Sequence, residues 1–314
     1  MGRPRATSQP ASATHNLMGE MDGNPTFDLQ SHSVHSDGAL VPTEVVERAA
    51  AAGVKTLALT DHDGIGGVLE AIEAGARHGV HIVPAVEITA IDTEHDDIHL
   101  LGYLIDHTNQ GLIDRLEGAK DERARRGRLM AERLERAGWS INFAVLDEAE
   151  AAGGTVGRPH VAEAVLSDPE NAEHLHDLGY DTTGKIIHNL LQRGKEAFVP
   201  RDHPTVEEAI AWVHDAGGLA VYAHPFFPAE RYGNTEVEEA LRRYTAAGLD
   251  GIECFYKTHS EDQTRFLHAL AVELDLITTG SADFHGPGHG DFSVFRDFKT
   301  YDLEVRLGAI QPSV

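Results

Sequence analysis

Short apolar runs typical of buried β-strands alternate with amphipathic helical patterns along most of the 314-residue chain, and this alternation restricts the fold more than any other feature. Strand-like runs such as "VKTLALT" and "LAVYAH" lie next to helical patterns such as "TEVVERAAAAG" and "EVEEALRRYTAAG". Seven strand-like runs can be recognised, with helices between most of them. This order predicts a parallel α/β barrel.

One long segment, residues 106–204, departs from this alternation. It contains the charged pattern "GLIDRLEGAKDERARRGRLMAERLERAG" and further helical pieces, without a buried strand. We therefore expect a disordered tail at 1–25, a barrel from 26–105 and 205–314, and a helical insertion at 106–204 after the fourth strand. The run "DERARRGR" is interpreted as a solvated helix face, with a guanidinium patch for an RNA backbone as the alternative.

The charge balance and the residue usage exclude several classes of protein. Asp and Glu number 51 against 26 Lys and Arg, a formal charge of -25, so we expect no stable complex with nucleic acid. The single cysteine, Cys254, excludes an intramolecular disulfide and thiolate metal sites. No apolar run is long enough to span a membrane, and the N-terminus has no secretion signal, so the prediction is a cytoplasmic protein.

Polar residues that bind metals well occur at the predicted strand ends, in the order Gln30, His32 and Asp37; Asp61, His62 and Asp63; Glu87; His99; His224; Tyr256 and Lys257; Asp283 and His285. The loops at the carboxyl ends of parallel strands meet on one face of a barrel. Buried carboxylates and imidazoles gathered there would repel and desolvate one another, and bound cations would compensate this. The sequence therefore predicts a centre for several metal ions.

The ligand types indicate the class of metal and of chemistry. Nitrogen and oxygen donors without sulfur suit Mn²⁺, Fe²⁺ or Zn²⁺, with Mn²⁺ as the first choice. A carboxylate such as Glu87 can bridge two ions, and closely spaced ions generate a hydroxide nucleophile while they clamp a phosphoryl oxygen. Metal-assisted hydrolysis of a phosphate ester is the leading interpretation, and amide hydrolysis on a similar barrel is its nearest rival.

The ordered motifs "DLQSHSVHSDG", "TDHDG", "VEI", "IHLLGY", "AHP" and "SADFHG" resemble the PHP (polymerase and histidinol phosphatase) family of metallophosphoesterases. Within it, the chain resembles the branch that acts on nucleoside 3',5'-bisphosphates and short RNA 5' ends. The resemblance implies a distorted (β/α)7 barrel with three metal positions. It implies these ligand sets: Gln30, His32, Glu87 and Asp283; Glu87, His99 and His224; Asp37, His62 and His285.

The resemblance also implies residues for substrate binding and catalysis. Arg158 and His160 of "VGRPHVAEAVL", with Lys257 as a third contact, would bind a substrate phosphate, although solvated side chains in a helix-initiating turn and on the surface are the alternative. The catalytic set would be His62, Glu87, Asp283 and His285 around a metal-bound hydroxide. The remaining alternatives are a histidinol-phosphate phosphatase, an amidohydrolase on the same barrel, and a non-catalytic nucleotide-binding module.

Gln30 departs from the symmetric H-x-H pair that its position suggests. Its amide oxygen is a weaker donor than an imidazole nitrogen, so we expect the first metal position to bind less tightly. The sequence thus predicts two firmly bound divalent ions and a third that is partial or absent.

Overall fold

The computed structural model describes residues 25–92, 98–151, 156–200, 204–227 and 232–310. In these ranges seven strands form one sheet in chain order. They are β1 (Phe27–Asp28), β2 (Thr56–Leu59), β3 (His81–Ala90), β4 (Ile98–Tyr103), β5 (Leu219–Tyr222), β6 (Gly251–Tyr256) and β7 (Ile277–Ser281). The predicted disordered tail at 1–25 lies, except for Pro25, outside the described residues.

Helices follow most of the strands, as the alternation predicted. They are α1 (Pro42–Ala51), α2 (Val68–His78), α3 (Gln110–Arg136), α4 (Phe143–Ala151), α5 (Arg158–Leu166), α6 (Ala172–Leu178), α7 (Thr183–Ile186), α8 (Val206–Asp215), α9 (Asn234–Ala246) and α10 (Glu261–Glu273). Their ends carry expected signals: Pro42 opens α1, and Thr205 and Glu208 form a capping box at the start of α8. None of the helices in the described ranges combines the length and apolar composition that a membrane crossing requires.

The expectation of parallel pairing throughout is wrong for β4. The strand follows β3 directly as a hairpin and pairs antiparallel with β3 on one side and with β5 on the other. The other pairs, from β1 to β3 and from β5 to β7, are parallel. Residues 91–97 alone separate β3 from β4, and the chain reverses because a parallel strand needs a connection of a dozen or more residues.

Irregular hydrogen bonds between the ends of the sheet nearly close the barrel. Leu29 N donates to Gly280 O at 3.1 Å, and His32 N donates to Phe284 O at 2.8 Å. The strands and the segments that follow them are packed tightly, with Leu29, Ile88 and Leu101 fully buried. The (β/α)7 barrel predicted from the sequence is therefore confirmed, with a distortion at its β1–β7 seam and at β4.

The helices between β4 and β5 build a second apolar cluster from residues 130–199. Helix α3 connects the two cores, because Leu112 and Leu116 pack into the barrel while Met130 and Leu134 pack into the second cluster. The sequence-based boundaries of the insertion, 106 and 204, stay a prediction.

Candidate metal centre

One edge of the barrel gathers eight of the predicted ligand residues around a cavity of about 630 Å³. These are His32, Asp37, His62, Glu87, His99, His224, Asp283 and His285. Most follow the carboxyl end of a strand, as predicted. His99 lies instead at the start of β4, and it reaches the same edge because β4 runs in the opposite direction.

Glu87 lies at the middle of this cluster and is fully buried. Its Oε1 atom is 2.6 Å from His99 Nδ1 and 3.3 Å from His224 Nε2. Its Oε2 atom is 3.2 Å from His32 Nε2, which in turn is 3.1 Å from Asp283 Oδ1. Two sides of one carboxylate thus face separate sets of imidazoles, which is the arrangement of a ligand that bridges two ions.

Asp37 holds the neighbouring corner of the cluster. Its Oδ1 atom is 3.6 Å from His32 Nδ1 and from His285 Nε2, and its Oδ2 atom is 3.6 Å from His62 Nε2. Ligand atoms of these four residues lie within 4.8 Å of one another, and so do those of His62, Glu87 and His99. His62 belongs to both groups, since its Nε2 faces Asp37 and its Nδ1 faces Glu87.

The buried polar atoms of the cluster fit metal ligands better than hydrogen-bonding partners. His32 Nε2, His62 Nδ1, His99 Nδ1, Asp37 Oδ1 and Asp283 Oδ1 have no partner with hydrogen-bond geometry among the described residues, although several lie close to a charged neighbour. Short distances at poor angles are expected where lone pairs point to shared cations. With nitrogen and oxygen donors alone, the residues fit divalent metal ions.

The pKa values of the cluster show strong electrostatic coupling. Burial opposes the charged form of His32, but Asp283 and Glu87 raise its pKa well above the usual range. Burial also opposes ionisation of Glu87, yet His62 and His99 hold its pKa well below the usual range. Burial lowers the pKa of His62 to about 4. Glu87 is therefore ionised at neutral pH, and divalent ions would displace the proton of His32.

Buried carboxylates beneath the cluster hold the loops that carry it. Asp61 accepts hydrogen bonds from Ser33 N, Ser33 Oγ and Ser36 Oγ at 2.7–2.8 Å. Asp63 accepts one from Thr89 N at 2.9 Å and pairs with Arg123 at 3.2 Å. These two residues anchor neighbouring segments, as second-layer groups do around metal sites.

Two more anchoring carboxylates, Asp28 and Glu253, were not recognised in the sequence. Asp28 accepts from Ala282 N at 3.0 Å and Glu253 accepts from His224 N at 2.9 Å, so each holds the backbone at or next to a ligand. Burial raises the pKa of Asp28 to about 7 and that of Glu253 well above its usual range. An acidic residue inside a buried strand, as in "FDL" and "GIECFY", was the available signal.

The opposite wall of the cavity is cationic. Arg123 and Arg126 of α3 and Arg158 of α5 line it, and Arg126 is only 4% exposed. Sequence reasoning identified Arg158 but assigned the α3 arginines to a solvated face. The guanidinium group of Arg123 lies close to the start of α5, since a Cβ atom at Gly157 would lie 3.0 Å from Arg123 Nη2.

The other predicted phosphate contacts are placed differently. His160 follows Arg158 in α5, and its Nδ1 accepts a hydrogen bond from Gly157 N at 3.2 Å. Lys257 pairs with Asp297. Neither belongs to the described residues that line the cavity. Two aromatic residues that the sequence did not single out, Phe227 and Phe292, line it with ring centroids 5.8 Å apart.

Comparison with known proteins places this arrangement in a family. The model of the PHP domain matches residues 28–249, which is more than half of the chain. The chain belongs to the PHP family. This confirms the family predicted from the motifs, and with it the metal-dependent phosphoesterase class.

Individual relatives agree with this membership. A 3',5'-nucleoside bisphosphate phosphatase of Chromobacterium violaceum is 36% identical over 84% of this chain and 88% of the relative. A 5'-3' exoribonuclease of Haemophilus influenzae is 36% identical over 83% of this chain and 90% of the relative. A crystal structure described as a metal-dependent phosphoesterase of Bifidobacterium adolescentis superimposes with a TM-score of 0.69 and 31% identity, covering 84% of this chain and 89% of that one.

Proposed function

We propose that this metal-dependent phosphoesterase hydrolyses a phosphate monoester of a nucleotide, either in a nucleoside 3',5'-bisphosphate or at the 5' end of a short RNA. The observation that carries the proposal is a single cavity with imidazoles and carboxylates on one wall and three guanidinium groups on the other. The first wall suits cations and the second suits anions, so a phosphate ester bound between them contacts both. The names of the relatives support the nucleotide class.

The proposed ligands are the eight clustered residues, with His62, Glu87, Asp283 and His285 closest to the chemistry. Two or three divalent ions, with Mn²⁺ as the first choice, would supply an activated water for attack at phosphorus and neutralise phosphoryl oxygens. Glu87 would hold two of the positions at a fixed separation, because its oxygens face different imidazoles.

The guanidinium wall would orient the substrate. A guanidinium group matches two oxygens of a phosphate, and Arg158 is proposed to bind the phosphate together with Arg123 and Arg126. Asp63, on the barrel side, forms an ion pair with Arg123, and this contact joins the metal-binding wall of the cavity to the guanidinium wall. His160 and Lys257 remain predicted phosphate contacts, and Lys257 would have to exchange Asp297 for the substrate. The cytoplasmic location remains a prediction from the sequence alone.

A substrate panel with the Mn²⁺-loaded protein tests this function. The panel contains a nucleoside 3',5'-bisphosphate, a 5'-phosphorylated trinucleotide and histidinol phosphate. We expect hydrolysis of a nucleotide substrate, loss of hydrolysis on chelation, and recovery with Mn²⁺. Glu87→Ala should abolish turnover in a folded protein, while Glu163→Ala on the exposed face of α5 should not. Full metal loading without turnover, or a preference for histidinol phosphate, would contradict the proposal.

A further inference from the structure

Gln30 is fully buried at the seam between β1 and β7, and its two amide atoms face different neighbours. Its Nε2 atom donates a hydrogen bond to Glu87 Oε2 at 2.9 Å. Its Oε1 atom lies 3.4 Å from the hydroxyl of Ser281 on the opposite side. Unlike the eight clustered residues, Gln30 is not among the described residues that line the cavity.

The chemistry of Glu87 determines which way this amide points. An ionised carboxylate only accepts hydrogen bonds, so the atom 2.9 Å from it must be a donor. A reversed amide would place two acceptor oxygens against each other in a buried site, and it would turn the amide N–H groups away from the carboxylate. The amide nitrogen that faces the centre has no lone pair to offer a cation.

We propose that Gln30 is a positioning residue for Glu87 and not a metal ligand, so that the centre of this protein holds two divalent ions. This rests on the proposed metal centre. The amide fixes Oε2 of Glu87 while Oε1 faces His99 and His224. Two compact groups of His, Asp and Glu ligand atoms lie in the described chain, one around Asp37 and one around Glu87, and each suits one ion.

An imidazole at the same position would act differently. A histidine can donate a hydrogen bond with one ring nitrogen and bind a cation with the other, whereas the single oxygen of Gln30 already faces Ser281. With His32 and Asp283 only 3.1 Å apart beside it, a histidine at position 30 would complete a third set of ligands. Gln30→His is therefore expected to add an ion, and a variant without hydrogen-bonding atoms is not expected to remove one.

Metal counting tests the proposal. Wild type, Gln30→Leu and Gln30→His are stripped of metal, equilibrated with Mn²⁺ by dialysis and analysed by mass spectrometry. We expect two ions per chain in wild type, two in Gln30→Leu with affinity about 10- to 100-fold weaker, and three in Gln30→His. Gln192→Leu, in the same cavity but on the helical side, is the matched control and should bind like wild type.

The outcomes separate this proposal from the proposed function. Loss of one ion in Gln30→Leu, without weakening of the others, would show that Gln30 is a ligand and overturn the inference. If Gln30→Leu fails to fold, Gln30→His decides: an unchanged stoichiometry there contradicts the proposal. A wild type that binds two ions but hydrolyses no phosphate ester would refute the proposed function and leave the role of Gln30 standing.

Discussion

Asp61 is not a predicted ligand, but its removal should damage the centre because it holds the loop that carries two predicted ligands, His32 and Asp37. Its side chain is 2% exposed and accepts three short hydrogen bonds from the loop that carries Asp37. Ser36, one of the donors, also lies 3.4 Å from the ring of His32. Asp61→Ala therefore leaves three buried polar atoms without their acceptor.

The expected loss of stability follows from these contacts. A hydrogen bond to a charged group contributes about 1.5 kcal/mol, so three of them correspond to a loss of about 4.5 kcal/mol in the free energy of unfolding. Asp61→Asn retains Oδ1, the acceptor for Ser33 N and Ser36 Oγ, and its new N–H can donate to Ser33 Oγ. We expect it to lose less than half as much.

Urea unfolding of the metal-free variants, followed by circular dichroism, measures both losses. Mn²⁺ titration of the folded proteins should show metal affinity reduced about 10- to 100-fold in Asp61→Ala, because the loop no longer holds His32 and Asp37 in place. A loss below about 1 kcal/mol for Asp61→Ala would refute the reasoning about hydrogen bonds. Equal losses for the two variants would show that the charge matters and the number of acceptors does not.

Two other predictions concern the anion wall and pH. Arg126→Ala should raise the KM for a nucleotide substrate about 10- to 100-fold, because a charge-assisted contact with the substrate is lost. The control Arg125→Ala, on the exposed face of α3, should leave the KM unchanged. Equal effects of the two substitutions in initial-rate assays would contradict the placement of Arg126. Burial lowers the pKa of His259 to about 3. Below pH 6.5 the unfolded chain therefore binds a proton at His259 while the folded protein does not, so the free energy of unfolding falls as the pH falls. Between pH 7.5 and pH 5, the free energy of unfolding of wild type should therefore fall by about 2 kcal/mol more than that of His259→Phe, as measured by urea titration. A parallel pH dependence of the two proteins would contradict this.

The strand ends were predictable because most of the proposed ligands follow a recognisable apolar run. The structure places His99 at the edge of the barrel that holds the other proposed ligands, but for a different reason than the one predicted. The apolar pattern of a strand is the same in both directions, so it identified β4 without its orientation. The prediction placed His99 at the carboxyl end of β4, whereas the structure places it at the amino end. Because β4 runs antiparallel to its neighbours, its amino end lies at the same edge of the barrel as the carboxyl ends of the other strands.

The guanidinium wall was not predictable from local pattern. Helix α3 carries charges on most of its faces, and this pattern is typical of a helix that is exposed to solvent. The part of α3 around Arg126 packs against residues some 30 positions later in the chain: at the neighbouring Gly127, a Cβ atom would lie 2.7 Å from the side chain of Val156. Such contacts depend on the tertiary arrangement, which no window of sequence contains.

The reversal of β4 also decides where the chain leaves the barrel. Tyr103, at the end of β4, pairs with the first residue of β5, so α3 starts at the edge remote from the metal centre, where Asn109 contacts the end of α8. From Gln110 to Arg123 the helix rises about 20 Å, at 1.5 Å per residue, back toward the mouth of the cavity. Had β4 been parallel, α3 would start beside the proposed metal centre and carry its arginines away from it. The length of α3 thus sets the position of Arg123 and Arg126 along the barrel, and deleting one helical turn before Arg123 would move these guanidinium groups away from the cavity.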